Sequence, residues 1–141
     1  MLQTEQGKRL RMLLADDQPA WHETVRRLLE PQGVETLSAR SGREALEMIE
    51  STPIHLVVMD VQMPHLGGLQ VIKLMREMQK TDDRLKAPPA ILLAKSLTNH
   101  LLHEALGMHV FSVLSKPVDL NLFLDAVARV LRRHYASRWP S

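Results

Sequence analysis

The stretch that decides the fold is HLVVMD at residues 55–60, followed by VQMPHLGG at 61–68. The first six residues are apolar almost throughout and stop at a carboxylate. A short apolar run without polar alternation predicts a strand buried on both faces, as the central strands of a parallel sheet are. The Pro- and Gly-containing segment behind it reads as a loop, and Leu69, Val71, Ile72, Leu74, Met75 and Met78 then recur at helical spacing.

Strand followed by helix repeats on either side of this unit. RMLLA at 11–15 precedes a helix that starts at Pro19, carries Trp21, Val25, Leu28 and Leu29, and stops at Pro31 and Gly33. VETLSA at 34–39 leads to a helix capped by Ser41, with Glu44 three residues on, and Pro53 ends it. The polar stretch QKTDDRLKAPP at 79–89 reads as a loop. AILLA at 90–94 is the fourth strand, a helix of about ten residues begins near Asn99, and VFSVLS at 110–115 is the fifth strand, stopped at Lys116-Pro117. A last helix takes Leu120, Leu122, Phe123, Val127, Val130 and Leu131 and frays near His134. Five alternations predict an α/β fold: a doubly wound, five-stranded parallel sheet with helices on both faces.

In such sheets ligands bind beyond the carboxyl ends of the strands. Asp16 and Asp17 directly follow the first strand, Asp60 closes the third, and Lys116 follows the fifth. Three acids and one base far apart in sequence therefore converge on one sheet edge. Neighbouring carboxylates repel unless a cation neutralises them. Mg²⁺ suits oxygen donors and is commonly bound through a few carboxylates and phosphate oxygens. An Asp can attack a phosphoryl group to form an acyl phosphate, with an ammonium balancing charge on the transferring oxygens. Asp60 is the candidate nucleophile, Asp16, Asp17 and Asp60 the candidate metal ligands, and Lys116 the ammonium. Taken singly, Asp16-Asp17 could be a helix cap and Asp60 a turn former; their convergence with Lys116 argues for a site.

At 141 residues and 45% hydrophobic content the chain is the size of one domain with a real core. No apolar run approaches the roughly 20 residues of a membrane span, and residues 1–12 hold no signal-peptide core, so a cytoplasmic, membrane-free protein is expected. The absence of cysteine excludes disulfides, thiolate metal sites and cysteine nucleophiles. Arg129, Arg132, Arg133 and Arg138 give residues 126–141 a basic balance with no acid. That is read as a solvated helix end favoured by the helix dipole, and direct nucleic-acid binding is not expected. His100 and His103 share a helix face but lack the further ligands of a zinc site, and are read as surface residues. Trp21 is assigned to packing.

LLADD at 13–17, LVVMDVQMPHLGG at 56–68 and VLSKPVD at 113–119, in this order and spacing, resemble the receiver domain of bacterial two-component response regulators. The resemblance covers residues 9–134, leaving 135–141 as a C-terminal tail or the start of a linker. It implies a flavodoxin-like sheet of order 2-1-3-4-5. It also implies Mg²⁺-dependent phosphoryl transfer to Asp60 from a sensor histidine kinase or histidine phosphotransfer protein, and later hydrolysis. The backbone carbonyl of Gln62 joins the implied metal ligands, and the Lys116-Pro117 bond is implied to be cis. Such a domain is a signalling phosphoacceptor rather than a turnover enzyme, and can form a homodimer through the face of helix four, strand five and helix five. No effector domain follows His134 in the sequence.

Two departures concern the switch rather than the phosphorylation chemistry. Where the family usually has Thr or Ser at the end of strand four, this chain has Ala94, with Ser96 as the substitute if the loop bends inward. The usual aromatic three residues before the Lys is Val113; Phe111 lies on the same strand face two residues earlier and reads as core. Gly67 in place of Asp or Asn should be benign, whereas His109 in place of Gly should strain the turn before strand five. Two alternatives remain: a degenerate receiver acting as a non-switching interaction module, or a phosphate-ester hydrolase. Gln62 argues against the hydrolase, because no second Asp stands two residues after Asp60 to act as acid and base.

Overall fold

The computed structural model describes residues 9–16, 18–82 and 87–135. Five parallel strands, β1 (Leu10–Ala15), β2 (Val34–Ala39), β3 (Leu56–Asp60), β4 (Ala90–Ala94) and β5 (Ser112–Ser115), form one sheet in the order β2-β1-β3-β4-β5. Every residue of β3 and β4 is buried, as expected of strands covered on both faces. The register places Ala15 beside Ala39 and Met59, Asp60 beside Leu93, and Ala94 beside Ser115. Neighbouring strands therefore end nearly level with one another, and the segments leaving their carboxyl ends meet at one edge.

The helices are α1 (Pro19–Leu29), α2 (Gly42–Ser51), α3 (Gly68–Thr81), α4 (Asn99–Gly107) and α5 (Leu120–Tyr135). Local chemistry explains their starts. Pro19 occupies the first turn of α1, where its missing N–H costs nothing. Ser41 Oγ accepts the Glu44 N–H, and Thr98 Oγ1 accepts the Leu101 N–H. The Gly67 N–H donates to Gln70 Oε1 over 2.8 Å at the start of α3. Gly33, at φ 90°, turns the chain out of the 3₁₀ turn after α1 into β2.

Three boundaries differ from the sequence expectation. Helix α3 continues through Thr81, because Gln79, Lys80 and Thr81 are polar but not helix breakers and can face solvent. Strand β5 begins at Ser112 rather than 110: His109 takes φ 58° and the Val110 N–H closes back onto the Ala105 carbonyl, so 110–111 belong to the turn. Helix α5 runs one residue past the expected domain end, because Tyr135 is pinned to the sheet. The Tyr135 hydroxyl donates to the His55 carbonyl at 2.8 Å, and the two rings meet edge to face at 5.1 Å.

Two cores flank the sheet. One face packs Leu10, Met12, Leu14, Val58 and Leu93 against Val25 of α1 and Phe123, Val127 and Val130 of α5. The other packs Leu13, Val57, Met59 and Leu92 against Ala45 of α2, Val71 and Met75 of α3 and Ala105 of α4. Helices therefore cover both faces, as the doubly wound reading requires. No helix among the described residues is long and apolar enough to cross a membrane.

The segment between β3 and α3 is held by two close approaches. A side chain on Gly67 would meet the Val61 carbonyl oxygen at 2.2 Å, and one on Gly42 would meet the Leu66 carbonyl oxygen at 2.2 Å. The family's Asp or Asn would not fit at Gly67 in this packing, so the glycine there is a requirement and not a neutral replacement.

Candidate functional site

Asp16, one residue past β1, is fixed through its backbone and its side chain. Its N–H donates to the Ala39 carbonyl at 3.1 Å, and its Oδ1 accepts the Gln18 N–H at 3.0 Å. Asp60 ends β3, and the following Val61 N–H continues the ladder to the Leu93 carbonyl at 2.8 Å. Its Oδ1 accepts the Gln62 N–H at 2.9 Å. Lys116, one residue past β5, anchors its own N–H on the Ala94 carbonyl at 2.8 Å, before a cis bond to Pro117.

From there the Lys116 ammonium donates to Asp60 Oδ2 and lies 3.3 Å from Asp16 Oδ2. Both carboxyl groups are buried, at 2% exposure for Asp16 and 6% for Asp60. One ammonium thus faces two carboxylates in a poorly hydrated setting, which leaves an excess of negative charge. Burial works against the charge on Lys116, but its hydrogen bond to Asp60 and the attraction of both acids outweigh that, and its pKa lies above the usual lysine value.

The expected convergence of Asp16, Asp60 and Lys116 is therefore present. Asp17 lies outside the described residues. Gln62 is placed by its N–H on Asp60, in the loop that passes the site. Among the described residues no three His, Asp or Glu side chains gather into a metal-holding group. The two buried carboxylates do fit a metal such as Mg²⁺, which commonly takes only one or two carboxylates and fills its remaining positions with water and phosphate oxygens.

A cavity of about 310 Å³ opens beside the pair, lined by Asp16, Gln18, Trp21, Lys95, Lys116 and Pro117. Trp21 does pack, meeting Phe123 edge to face at 5.1 Å, yet it also walls this opening. Lys95 is absent from the site expected on sequence, although the signal for it exists: it directly follows β4, as Asp16 and Lys116 directly follow their strands.

The model of the response regulator receiver domain matches residues 12–128. The chain belongs to that family. It is 29% identical over 126 residues to Response regulator RR06 of Streptococcus pneumoniae, covering 89% of this chain and 55% of that protein. It is 36% identical over 124 residues to Response regulator MprA of Mycolicibacterium vanbaalenii, covering 88% and 51%. It is also 36% identical over 120 residues to the CAI-1 autoinducer sensor kinase/phosphatase CqsS of Vibrio cholerae, covering 84% of this chain and 17% of CqsS. The chain thus spans about half the length of those two response regulators. Among solved structures, the chemotaxis protein CheY4 of Vibrio cholerae superposes with a TM-score of 0.76 at 25% identity, covering 88% of this chain and all of the other, 100%.

Ala94 is buried at the end of β4 and offers no hydroxyl. Ser96 is exposed, so its loop does not bring it inward. Val113 is half-buried and packs with the α2–α3–α4 core, whereas Phe111 packs with the α1–α5 core. The expectation that Phe111 shares the face of Val113 is corrected: strand alternation starts only at Ser112, and the turn at His109 delivers Phe111 to the other side. His109 does adopt the left-handed backbone expected to strain this turn, at φ 58°. His100 pairs with Glu104 over 3.1 Å on exposed α4.

Proposed function

We propose that this receiver domain accepts a phosphoryl group on Asp60 from the phosphohistidine of a sensor histidine kinase or histidine phosphotransfer protein, with Mg²⁺ held by Asp16, Asp17, Asp60 and the Gln62 carbonyl. The observation that carries the reading is the buried Asp60 carboxylate, hydrogen-bonded by a lysine that also reaches Asp16. In the transfer, an Asp60 carboxylate oxygen forms the new O–P bond, the P–N bond of the donor breaks, and its electron pair returns to the imidazole ring. The Gln62 N–H holds Oδ1, so the carboxylate cannot rotate freely and one oxygen is presented to the donor. The Lys116 ammonium, now on Oδ2, is within reach of the oxygens of an incoming phosphoryl group. Mg²⁺ would supply the further positive charge that lets those oxygens approach two carboxylates. The likeness to a segment of a sensor kinase and to response regulators supports the partner class.

The test is intact mass after incubation with acetyl phosphate and Mg²⁺. Wild type should gain one phosphoryl group, and Asp60→Asn should gain none. No gain by wild type at any Mg²⁺ concentration rejects the reading.

A second reading, a receiver that does not switch, is favoured by Ala94, which cannot bond a phosphoryl oxygen. Exposed Leu102 and Leu106 on α4 and Leu122 on α5 support the association of two copies through this side, with or without phosphorylation. Sedimentation before and after phosphorylation separates the readings: a change in association marks a switch, and an unchanged state marks a fixed interaction module.

A further inference from the structure

At the edge of the sheet opposite Asp60 lies a cleft of about 770 Å³, bordered by Ala90 and Ser112, the first residues of β4 and β5. Its walls are largely apolar: Ile72 and Met75 of α3, Pro88 and Pro89 before β4, and Met108 and Phe111 between α4 and β5. Among these stand Arg76 of α3, His109, and Arg129, Arg133 and His134 of α5. Helices α3 and α5 pack on opposite faces of the sheet, so the cations reach the cleft from both sides. The described residues that line it include no Asp, Glu or Lys.

Two of the arginines lack a counter-charge. Arg76 is half-buried, and its guanidinium donates to the Met108 carbonyl but meets no carboxylate among the described residues. Arg133 is exposed and has no ion pair among them either. Arg129 is already held by Asp125 at 2.8 Å and adds little. An arginine drawn partly out of water without a carboxylate is uncommon, because its charge loses hydration and gains no partner. The lining also has the make-up of a surface that meets another protein, where Met, Arg and aromatic side chains are enriched and Lys, Glu and Asp depleted. A ligand that serves both Arg76 and Arg133 has to cross the sheet edge, which favours an extended chain over a compact ion. Aliphatic and thioether walls suit aliphatic side chains better than the planar base of a nucleotide.

We propose that this cleft docks an acidic segment of a partner protein, with carboxylates on Arg76 and Arg133 and apolar side chains against Met75, Met108 and Phe111. Charge complementarity selects the partner, and bidentate pairing with the guanidinium groups fixes its register. The site and Asp60 lie at opposite ends of the strands, so docking does not depend on phosphorylation.

The experiment is fluorescence anisotropy of a short labelled peptide of alternating glutamate and leucine, titrated with the full chain at low salt. Binding should saturate, weaken as salt rises, and fall by about tenfold or more in Arg133→Glu, an exposed position where the fold is kept. Arg76→Gln should weaken it as well, and Asp60→Asn should bind as wild type does. Amide shifts of the ¹⁵N-labelled wild type should cluster at residues 75–76, 108–112 and 129–135 on addition of the peptide, which locates the site without any variant. A peptide with serine in place of leucine, and a single-stranded oligonucleotide, should bind more weakly. No saturation by wild type, or unchanged affinity in Arg133→Glu, overturns the proposal. Equal binding of the serine peptide or the oligonucleotide also overturns it, by reducing the cleft to a general polyanion site. Self-association of wild type that Arg133→Glu abolishes would give the cleft to a second copy of this chain and overturn it in favour of that occupant.

Discussion

Replacing Lys116 with methionine keeps the length of the side chain and removes the one cation that the described residues bring to both Asp16 and Asp60. Breaking a buried ion pair by deleting one partner costs about 3–5 kcal/mol, because a charge is left without compensation. Here the cost is smaller, since Gln18 and Gln62 still donate backbone N–H groups to the two carboxylates and the site opens at the sheet edge. A loss of about 2–3 kcal/mol is expected, which for a domain of this size lowers the melting temperature by roughly 10 °C. Urea denaturation in EDTA reads the loss directly from the midpoint. Added Mg²⁺ should then stabilise the variant more than it stabilises wild type, because in the variant the metal does not compete with an ammonium for the same oxygens. A loss below about 0.5 kcal/mol, the range of an ordinary surface substitution, would refute the view that Lys116 holds the two acids together.

The raised pKa of Lys116 carries a pH signature. Its contribution to stability is complete below the ordinary lysine value of 10.5 and fades as pH rises through the higher value of the folded state, so wild type should lose stability above pH 10.5 relative to Lys116→Met. Gly67→Ala should cost about 1–3 kcal/mol of overpacking strain, measured by thermal denaturation, because its new methyl would press on the Val61 carbonyl oxygen. Ala94→Thr, tested by amide chemical-shift changes on phosphorylation, should enlarge the response across β4, α4 and β5; an unchanged response would show that the missing hydroxyl is not what limits it.

Much of this was legible in the sequence because it is carried by pattern. The apolar run in HLVVMD named β3 as a strand covered on both faces, AILLA named β4, and the residues at or just past the ends of β1, β3 and β5 named Asp16, Asp60 and Lys116. What the sequence did not show depends on turns and on packing between elements. The side taken by Phe111 results from a left-handed residue at His109, which shifts the start of β5. The need for glycine at position 67 comes from a carbonyl six residues earlier in the chain. Nothing in the sequence singles out His22, and only the placement of Ser38, Arg26 and Arg40 around it shows a polar cleft.

The two close approaches in the β3–α3 segment also shape how this protein can vary. Because a side chain on Gly42 or Gly67 would meet a main-chain carbonyl oxygen at 2.2 Å, a substitution at either position has to displace part of the segment that follows Asp60. Gln62 and Pro64 between them are exposed and lie outside these contacts, whereas His65, also exposed, sits at φ 66° in the left-handed region that few side chains favour. Variation in this segment is therefore channelled to the rim of the site, where, on the proposed function, it would retune which donors approach Asp60 while the backbone that presents the carboxylate stays in place.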